Sequence, residues 1–267
     1  MRLYFTHQRG FTLIEMVMVI IVLGIVGAAV ASFMKAPVDA YFATARRAAL
    51  SDEADTALRR MGRDIRKALP NSLRTPSAGC VEFIPTKTGG RYRAELSGTG
   101  TGDILDFTTA DSSFNMFGVN SSLSDQAIAV GDVVAVYNLG ISGADAYAGN
   151  NTSVVSGVTS GAETSISIAS KKFPLASGSN RFHVIPGAER VVAYVCSGGV
   201  LYRTASASFS SSCPTSGAVL ANHVSACSFT YNGTDLRRNA LLQIGLTFTT
   251  GGESVNLYHE VHVNNTP

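Results

Sequence analysis

The sequence predicts an α+β protein: one long N-terminal helix laid on an antiparallel, β-rich domain. Three observations carry this. Residues 11–34 form an almost unbroken apolar run. Residues 38–69 repeat their apolar positions at helical spacing. From residue 73 onward, short apolar or alternating segments are separated by clusters of Gly, Ser and Asn. Strands gathered behind a helix, with no further helices between them, belong to the α+β class.

The first helix half is long enough to cross a membrane. Residues 11–34 carry one formal charge, Glu15. At a rise of ~1.5 Å per residue they make a helix of roughly 36 Å, against a hydrocarbon core of ~30 Å. The ten residues ahead of it hold Arg2 and Arg9 and no acid. Such a basic flank keeps the N-terminus in the cytoplasm and places everything after Met34 outside it. A carboxylate in a membrane helix costs about 2.5–3.5 kcal/mol on insertion scales, so Glu15 calls for a functional partner.

The second helix half is amphipathic and extends over 35–72. Leu50, Ala54, Ala57, Leu58, Met61, Ile65, Ala68 and Leu69 recur at three- and four-residue spacing. Charged residues fill the opposite side, with Asp55–Arg59 and Arg60–Asp64 spaced as i,i+4 pairs. Pro37 lacks a backbone donor and crowds the carbonyl of Phe33, so a kink or break is expected there. Pro70-Asn71-Ser72 is the expected stop.

Residues 73–267 make the β-rich domain. Strands are expected at 80–85, 91–96, 103–109, 132–138, 164–169, 181–185, 190–196, 200–204, 224–231, 241–249 and 254–263. Thr88-Gly89-Gly90, Ser197-Gly198-Gly199, Asn232-Gly233 and Gly251-Gly252 are turn signals between them. The Gly/Ser/Ala/Asn-rich stretches 139–163 and 205–219 read as long loops.

Composition narrows the function. Arg2 and Arg9 account for the whole excess of bases over acids, which is +2. A near-neutral remainder argues against bulk electrostatic binding to nucleic acid, and no nucleic-acid partner is expected. Four cysteines, Cys80, Cys196, Cys213 and Cys227, fit no zinc spacing and contain no C-x-x-C. Outside the cytoplasm they read as two disulfides. Of three connectivities, Cys196–Cys213 with Cys80–Cys227 is favoured because the first closes a short loop.

Chemical constellations are sparse. His259-Glu260-Val261-His262 tempts a metal reading, but on a strand residues 259 and 262 point to opposite faces. Asp145, Asn150 and Asn151 offer oxygens in a Gly-rich loop without any known calcium-loop spacing. Gly98-Thr99-Gly100-Thr101-Gly102 precedes a strand and lacks the lysine of a phosphate loop. There is no G-x-S-x-G to anchor a hydrolase triad. No enzyme, cofactor or metal is expected. The basic helix side, residues 46–74, holds eight bases against four acids. It reads as a solvated face or as a contact for an acidic neighbour.

Arg9-Gly10-Phe11-Thr12-Leu13-Ile14-Glu15 with the apolar run behind it resembles the class III signal of type IV pilins and pseudopilins. The resemblance implies a leader, residues 1–10, cut after Gly10 by a separate prepilin peptidase. It implies N-methylation of the new terminal residue, Phe11. It implies that residues 11–34 serve first as membrane anchor and then as polymerisation helix. Glu15 would pair with the N-terminal amine of a neighbouring subunit and set its register. Further stretches, among them 37–41, 46–48, 52–60, 68–72, 81–86, 136–140, 224–229 and 259–263, resemble the MshO-type minor pilins of the mannose-sensitive haemagglutinin (MSHA) pilus. Residues 181–231 are more loosely similar to J-type pseudopilins of type II secretion. These similarities imply other minor and major pilins as partners, and an inner-membrane precursor that moves to the pilus.

Overall fold

The computed structural model describes residues 10–210, 213–232 and 239–267. The chain forms two compact units, Met1–Ala49 and Leu50–Pro267. A single helix, α1 (Leu13–Ile65), supplies the described structure of the first unit and opens the second. Pro37 lies inside it, so the break expected there does not occur. An exposed proline forfeits one bond to the carbonyl four residues back, and the turns on either side keep theirs.

Fourteen strands follow among the described residues. They are β1 (Arg74–Ser77), β2 (Cys80–Phe83), β3 (Thr88–Arg91), β4 (Asp111–Phe117), β5 (Val133–Val136), β6 (Thr152–Thr159) and β7 (Glu163–Lys171). Then come β8 (Arg181–Ile185), β9 (Val191–Ser197), β10 (Val200–Ser206), β11 (Ala218–Ala221), β12 (Val224–Tyr231), β13 (Asn239–Thr250) and β14 (Glu253–Asn264). They make three sheets, ordered β1-β2-β9-β10-β11, β12-β13-β14 and β3-β8-β5-β6-β7-β4. All their ladders are antiparallel, as the sequence predicts.

The main core lies between the Leu50–Ile65 part of α1 and the first two sheets. Leu50, Ala54, Ala57, Leu58, Met61 and Ile65 are buried there, the stripe read from the sequence. Opposite them stand Val81, Phe83, Val192, Tyr194, Ile244 and Phe248. Fully burying Leu58, Met61 or Ile65 stabilises by about 1.5–3 kcal/mol per side chain. The six-stranded sheet has its own core, in which Phe114 and Phe182 meet edge to face at 5.3 Å. The first two sheets are joined along β12: Phe229 donates its N–H to the Ala78 carbonyl (3.0 Å) and Val224 to that of Gly199 (2.9 Å).

Several sequence expectations need correction. The helix stops at Ile65, ahead of Pro70. Lys67 and Ala68 bond to carbonyls three residues back, and the Leu69 N–H turns to the Ile84 carbonyl at 2.7 Å, so pairing to the sheet takes over from the helix. The stretch 103–109 is not a strand, because Asp106 Oδ1 accepts the Thr108 N–H and hydroxyl, both at 2.6 Å, a local turn that competes with a ladder. The strand beside it is β4. Gly89 and Gly90 are not a turn but lie within β3. A Cβ on Gly89 would sit 2.7 Å from the Phe182 carbonyl oxygen, and one on Gly90 2.6 Å from Met116 Sδ. These glycines permit close approach inside the sheet. The supposed loop 139–163 contains β6, and 205–219 takes in the end of β10 and the start of β11. Gly233 of the Asn232-Gly233 signal lies outside the described residues.

All four cysteines are oxidised, but the pairs are Cys80–Cys213 and Cys196–Cys227. The alternation of β9 explains the difference. Cys196 lies on the face of Val192 and Tyr194, toward α1 and β12, where Cys227 stands. Cys80 shares the opposite face with Ala193 and Val195, where Cys213 packs. A Cys196–Cys213 bond would have to cross the sheet.

Candidate functional site

The segment that the sequence marks for function lies at the start of α1. Gly10 and Phe11 are exposed, Phe11 by 80%. Thr12 stands just before the first helical residue and Glu15 three residues on. Glu15 Oε2 accepts the Thr12 N–H at 3.0 Å and the Thr12 hydroxyl at 2.9 Å. The Glu15 N–H in turn donates to Thr12 Oγ1 at 3.4 Å. This is a reciprocal capping box, and it satisfies donors that a helix start leaves free. Its Thr-x-x-Glu pattern was readable in the sequence. Within one chain, then, the Glu15 carboxylate already has a local partner.

From Phe11 to Met34 the large apolar side chains are exposed all around the helix, between 46% and 83%. None of this stretch is buried. A helix apolar on every side and covered by nothing requires an apolar surrounding, either lipid or other helices. By length and composition it is able to cross a membrane. Gly10, Phe11 and Glu15 therefore sit together where such a helix begins, while Pro37 lies beyond the apolar run. Arg2 and Arg9 lie outside the described residues.

Residues 5–31 match the prokaryotic N-terminal methylation motif. That motif supports a type IV pilin-like or pseudopilin protein, and it implies processing by a prepilin peptidase and assembly with other pilins. No curated protein and no solved structure is significantly similar to the chain.

In the second unit, Asp55 and Arg59 form the expected i,i+4 pair at 2.7 Å. Asp64 does not pair with Arg60. It turns inward, accepting the Tyr194 hydroxyl at 2.7 Å and Arg203 Nε at 2.9 Å. Glu189 takes the other edge of Arg203, at 3.1 and 3.0 Å. Burial and the neighbouring Asp64 push the Tyr194 phenol well above its ordinary range. Bonding to Glu189 first, and then to Asp64, holds the Arg203 guanidinium charged. Glu53, one turn before Ala57, accepts the Asn222 N–H at 2.6 Å. The helix is thus fixed to β9, β10 and the β11–β12 turn by its own acids.

A pocket of about 330 Å³ opens between residues 71–75 and 139–147. Arg74 stacks on the Tyr147 ring at 3.6 Å and is ion-paired with Glu82, which is 1% exposed. The Tyr147 hydroxyl donates to the Ser72 carbonyl at 2.9 Å, and burial drives its pKa far up. Asp145, Ile141 and Tyr231 also line the pocket. Sequence reasoning named the loop but missed Arg74 and Glu82, which only the β1–β2 pairing brings to it. Of the oxygens proposed for calcium, Asn151 is wholly buried and donates its amide to Val136 and Asn138, facing away from any exposed ligand set. On β14, alternation keeps His259 half-buried and leaves His262 exposed.

Proposed function

We propose that this chain is a minor subunit of a type IV pilus, of the MshO-like kind in an MSHA-type system, acting in filament initiation or at the tip. The supporting observation is the cluster of Gly10, Phe11 and the capped Glu15 at the head of an exposed apolar helix, inside the methylation motif. In this reading the precursor sits in the inner membrane with its β-rich domain in the periplasm. A prepilin peptidase cuts after Gly10 and Phe11 is N-methylated. On incorporation, Glu15 exchanges its Thr12 partner for the α-amine of a neighbour, whose opposite charge compensates the carboxylate in an apolar surrounding. The chain performs no catalysis and needs no cofactor. A type II secretion pseudopilin would use the same parts in a shorter filament.

The capping box shapes the test. Glu15→Gln retains a capping side chain but no charge, while Glu15→Val removes both. Expected is normal leader cleavage in both variants and a comparable loss of the subunit from sheared, purified filaments, read by immunoblot. Wild-type incorporation of Glu15→Gln would assign Glu15 to helix capping and defeat the register role.

The pocket between 71–75 and 139–147 favours a second reading, a tip adhesin. Its mixture of guanidinium, carboxylate, phenol and aliphatic groups suits a small polar ligand such as a sugar unit. Full-length protein in detergent, probed on a glycan array, should then bind one family of glycans and lose it on Arg74→Ala. Silence across the array counts against the adhesin.

A further inference from the structure

The inward turn of Asp64 leaves the outer side of the helix end without compensation. Arg60, Arg63, Arg66 and Lys67 are all exposed. Asp64 is the one carboxylate between Asp55 and Glu82 in the sequence, and Tyr194 and Arg203 occupy it. Asp55 is spent on Arg59. Arg60 and Arg63 lie three residues apart, on one side of the helix, and Arg66 and Lys67 stand in the turn that follows it. The helix dipole favours cations at the C-terminal end, which suits Arg63 in the last turn and the two residues just past it. Arg60 precedes that turn, and Arg66 and Lys67 follow the helix end. Helix stabilisation therefore does not account for Arg60.

Past the helix end, Arg66 and Lys67 border a groove of about 450 Å³ whose walls carry Thr86, Thr88 and Gln126. The other cations there are committed, Lys87 to Asp132 at 2.5 Å and Arg203 to Asp64 and Glu189. The groove thus sets the polar side chains of Thr88 and Gln126 beside the exposed basic stripe, while Thr86 donates both its N–H and its hydroxyl to the Lys67 carbonyl.

We propose that this stripe and groove dock an acidic segment of a neighbouring protein subunit, its carboxylates on Arg60, Arg63, Arg66 and Lys67 and its backbone against Thr88 and Gln126. This rests on the reading of the chain as a filament subunit. Charge complementarity selects the partner. Helices that lie on a membrane surface present an apolar face beside the basic one, whereas here the apolar face is the buried stripe Leu58, Met61 and Ile65. Nucleic-acid binding draws on many phosphate contacts, and the chain's net charge is only +2.

The test uses the full chain in its own cells, with the photo-crosslinker p-benzoylphenylalanine at position 63 or, separately, at Val19 in the apolar helix. Irradiated filaments are digested and the adducts sequenced by mass spectrometry. Expected at 63 is a peptide of another subunit with several carboxylates around the attachment point. The yield should fall at least fivefold in an Arg60→Gln, Arg66→Gln, Lys67→Gln background while the Val19 yield holds. Adducts at Val19 with none at 63 overturn the proposal alone. So does an adduct at 63 with a lipid, a nucleic acid or a peptide without carboxylates. Loss of adducts at both positions overturns the subunit reading and the proposal with it.

Discussion

Asp64→Ala isolates the attachment of the helix to the sheet. Two bonds are lost, one from the Tyr194 hydroxyl and one from Arg203. Hydrogen bonds to a charged group contribute about 1.5–3 kcal/mol each when buried. Asp64 is 28% exposed and Arg203 18%, so the ionic part is discounted for solvent screening. Arg203 also keeps Glu189. Tyr194, in contrast, is wholly buried and its hydroxyl is left without an acceptor, a loss of about 1–3 kcal/mol. The net expectation is about 2–3 kcal/mol. Asp64→Asn keeps an acceptor for Tyr194 and should cost about 1 kcal/mol. Tyr194→Phe removes donor and demand together and should cost no more. For a domain of this size each kcal/mol moves the melting midpoint by about 2–4 °C, so Asp64→Ala should melt roughly 4–12 °C early in a detergent-solubilised sample followed by circular dichroism. An Asp64→Ala midpoint within 1 °C of wild type refutes the reasoning. So does Asn costing as much as Ala, since the stranded hydroxyl would then not be the dominant loss.

Peptide mapping without reduction should recover Cys80–Cys213 and Cys196–Cys227, and replacing both cysteines of either pair by Ser should cost about 2–4 kcal/mol; a Cys196–Cys213 peptide in the native protein would contradict the two-face argument. His183 carries a buried Nε2 without a partner, and burial, then Arg181, holds its pKa below the ordinary 6.5. The unfolded chain takes that proton first, so the stabilisation is complete above about pH 6.5 and is lost as pH falls toward the lower folded value. Urea titrations at pH 7.5 and 5 should show this loss, and His183→Gln should reduce it; an unchanged difference would exonerate His183. Gly140 has φ of +67°, and a Cβ there would meet the Asn71 carbonyl oxygen at 2.6 Å. Gly140→Ala should therefore cost clearly more than Gly143→Ala, where φ is also positive but nothing lies within 4 Å and about 1 kcal/mol of backbone strain remains. Equal urea midpoints would show that the loop relaxes around the new methyl group.

What was legible in the sequence followed strength of pattern. The stripe Leu50 to Ile65 and the strands 181–185 and 224–231 stand where periodicity puts them, because each buries one face against a large core. The misreadings fall where local composition and tertiary contact disagree. Gly89 and Gly90 look like a turn until Phe182 and Met116 are brought against them. β6, with Ser153, Ser156 and Gly157 among its valines, and the four-residue β11 are hidden by the Gly/Ser/Ala/Asn-rich stretches around them, and gain their order from neighbours in the sheet. Disulfide choice failed for a related reason. Sequence distance measures loop closure, while the faces of β9 decide which sulfurs can meet. In the candidate site, Gly10, Phe11 and Glu15 were visible as a motif, and the Thr12–Glu15 box was equally visible as a spacing. Arg74 beside Glu82 was not, since it arises from the β1–β2 register.

The two halves of α1 obey different solvents, and this difference carries the functional argument. From Leu50 to Ile65 the apolar residues form one stripe and the charges take the other side, as a helix half in water requires. From Phe11 to Met34 no polar side exists, and side chains such as Leu13 and Phe33 are more than four-fifths exposed. A soluble domain gains nothing from that arrangement, and in a simple anchor Glu15 would serve only to cap the helix start. Under the proposed function, the carboxylate meets a positive charge once the helix lies among others of its kind. Lipid tails cannot supply that charge, but the terminal amine of another such helix can. The capping box fits that proposal: Thr12 satisfies Glu15 while the chain is alone, through local bonds that an opposite charge in a low-dielectric surrounding can replace.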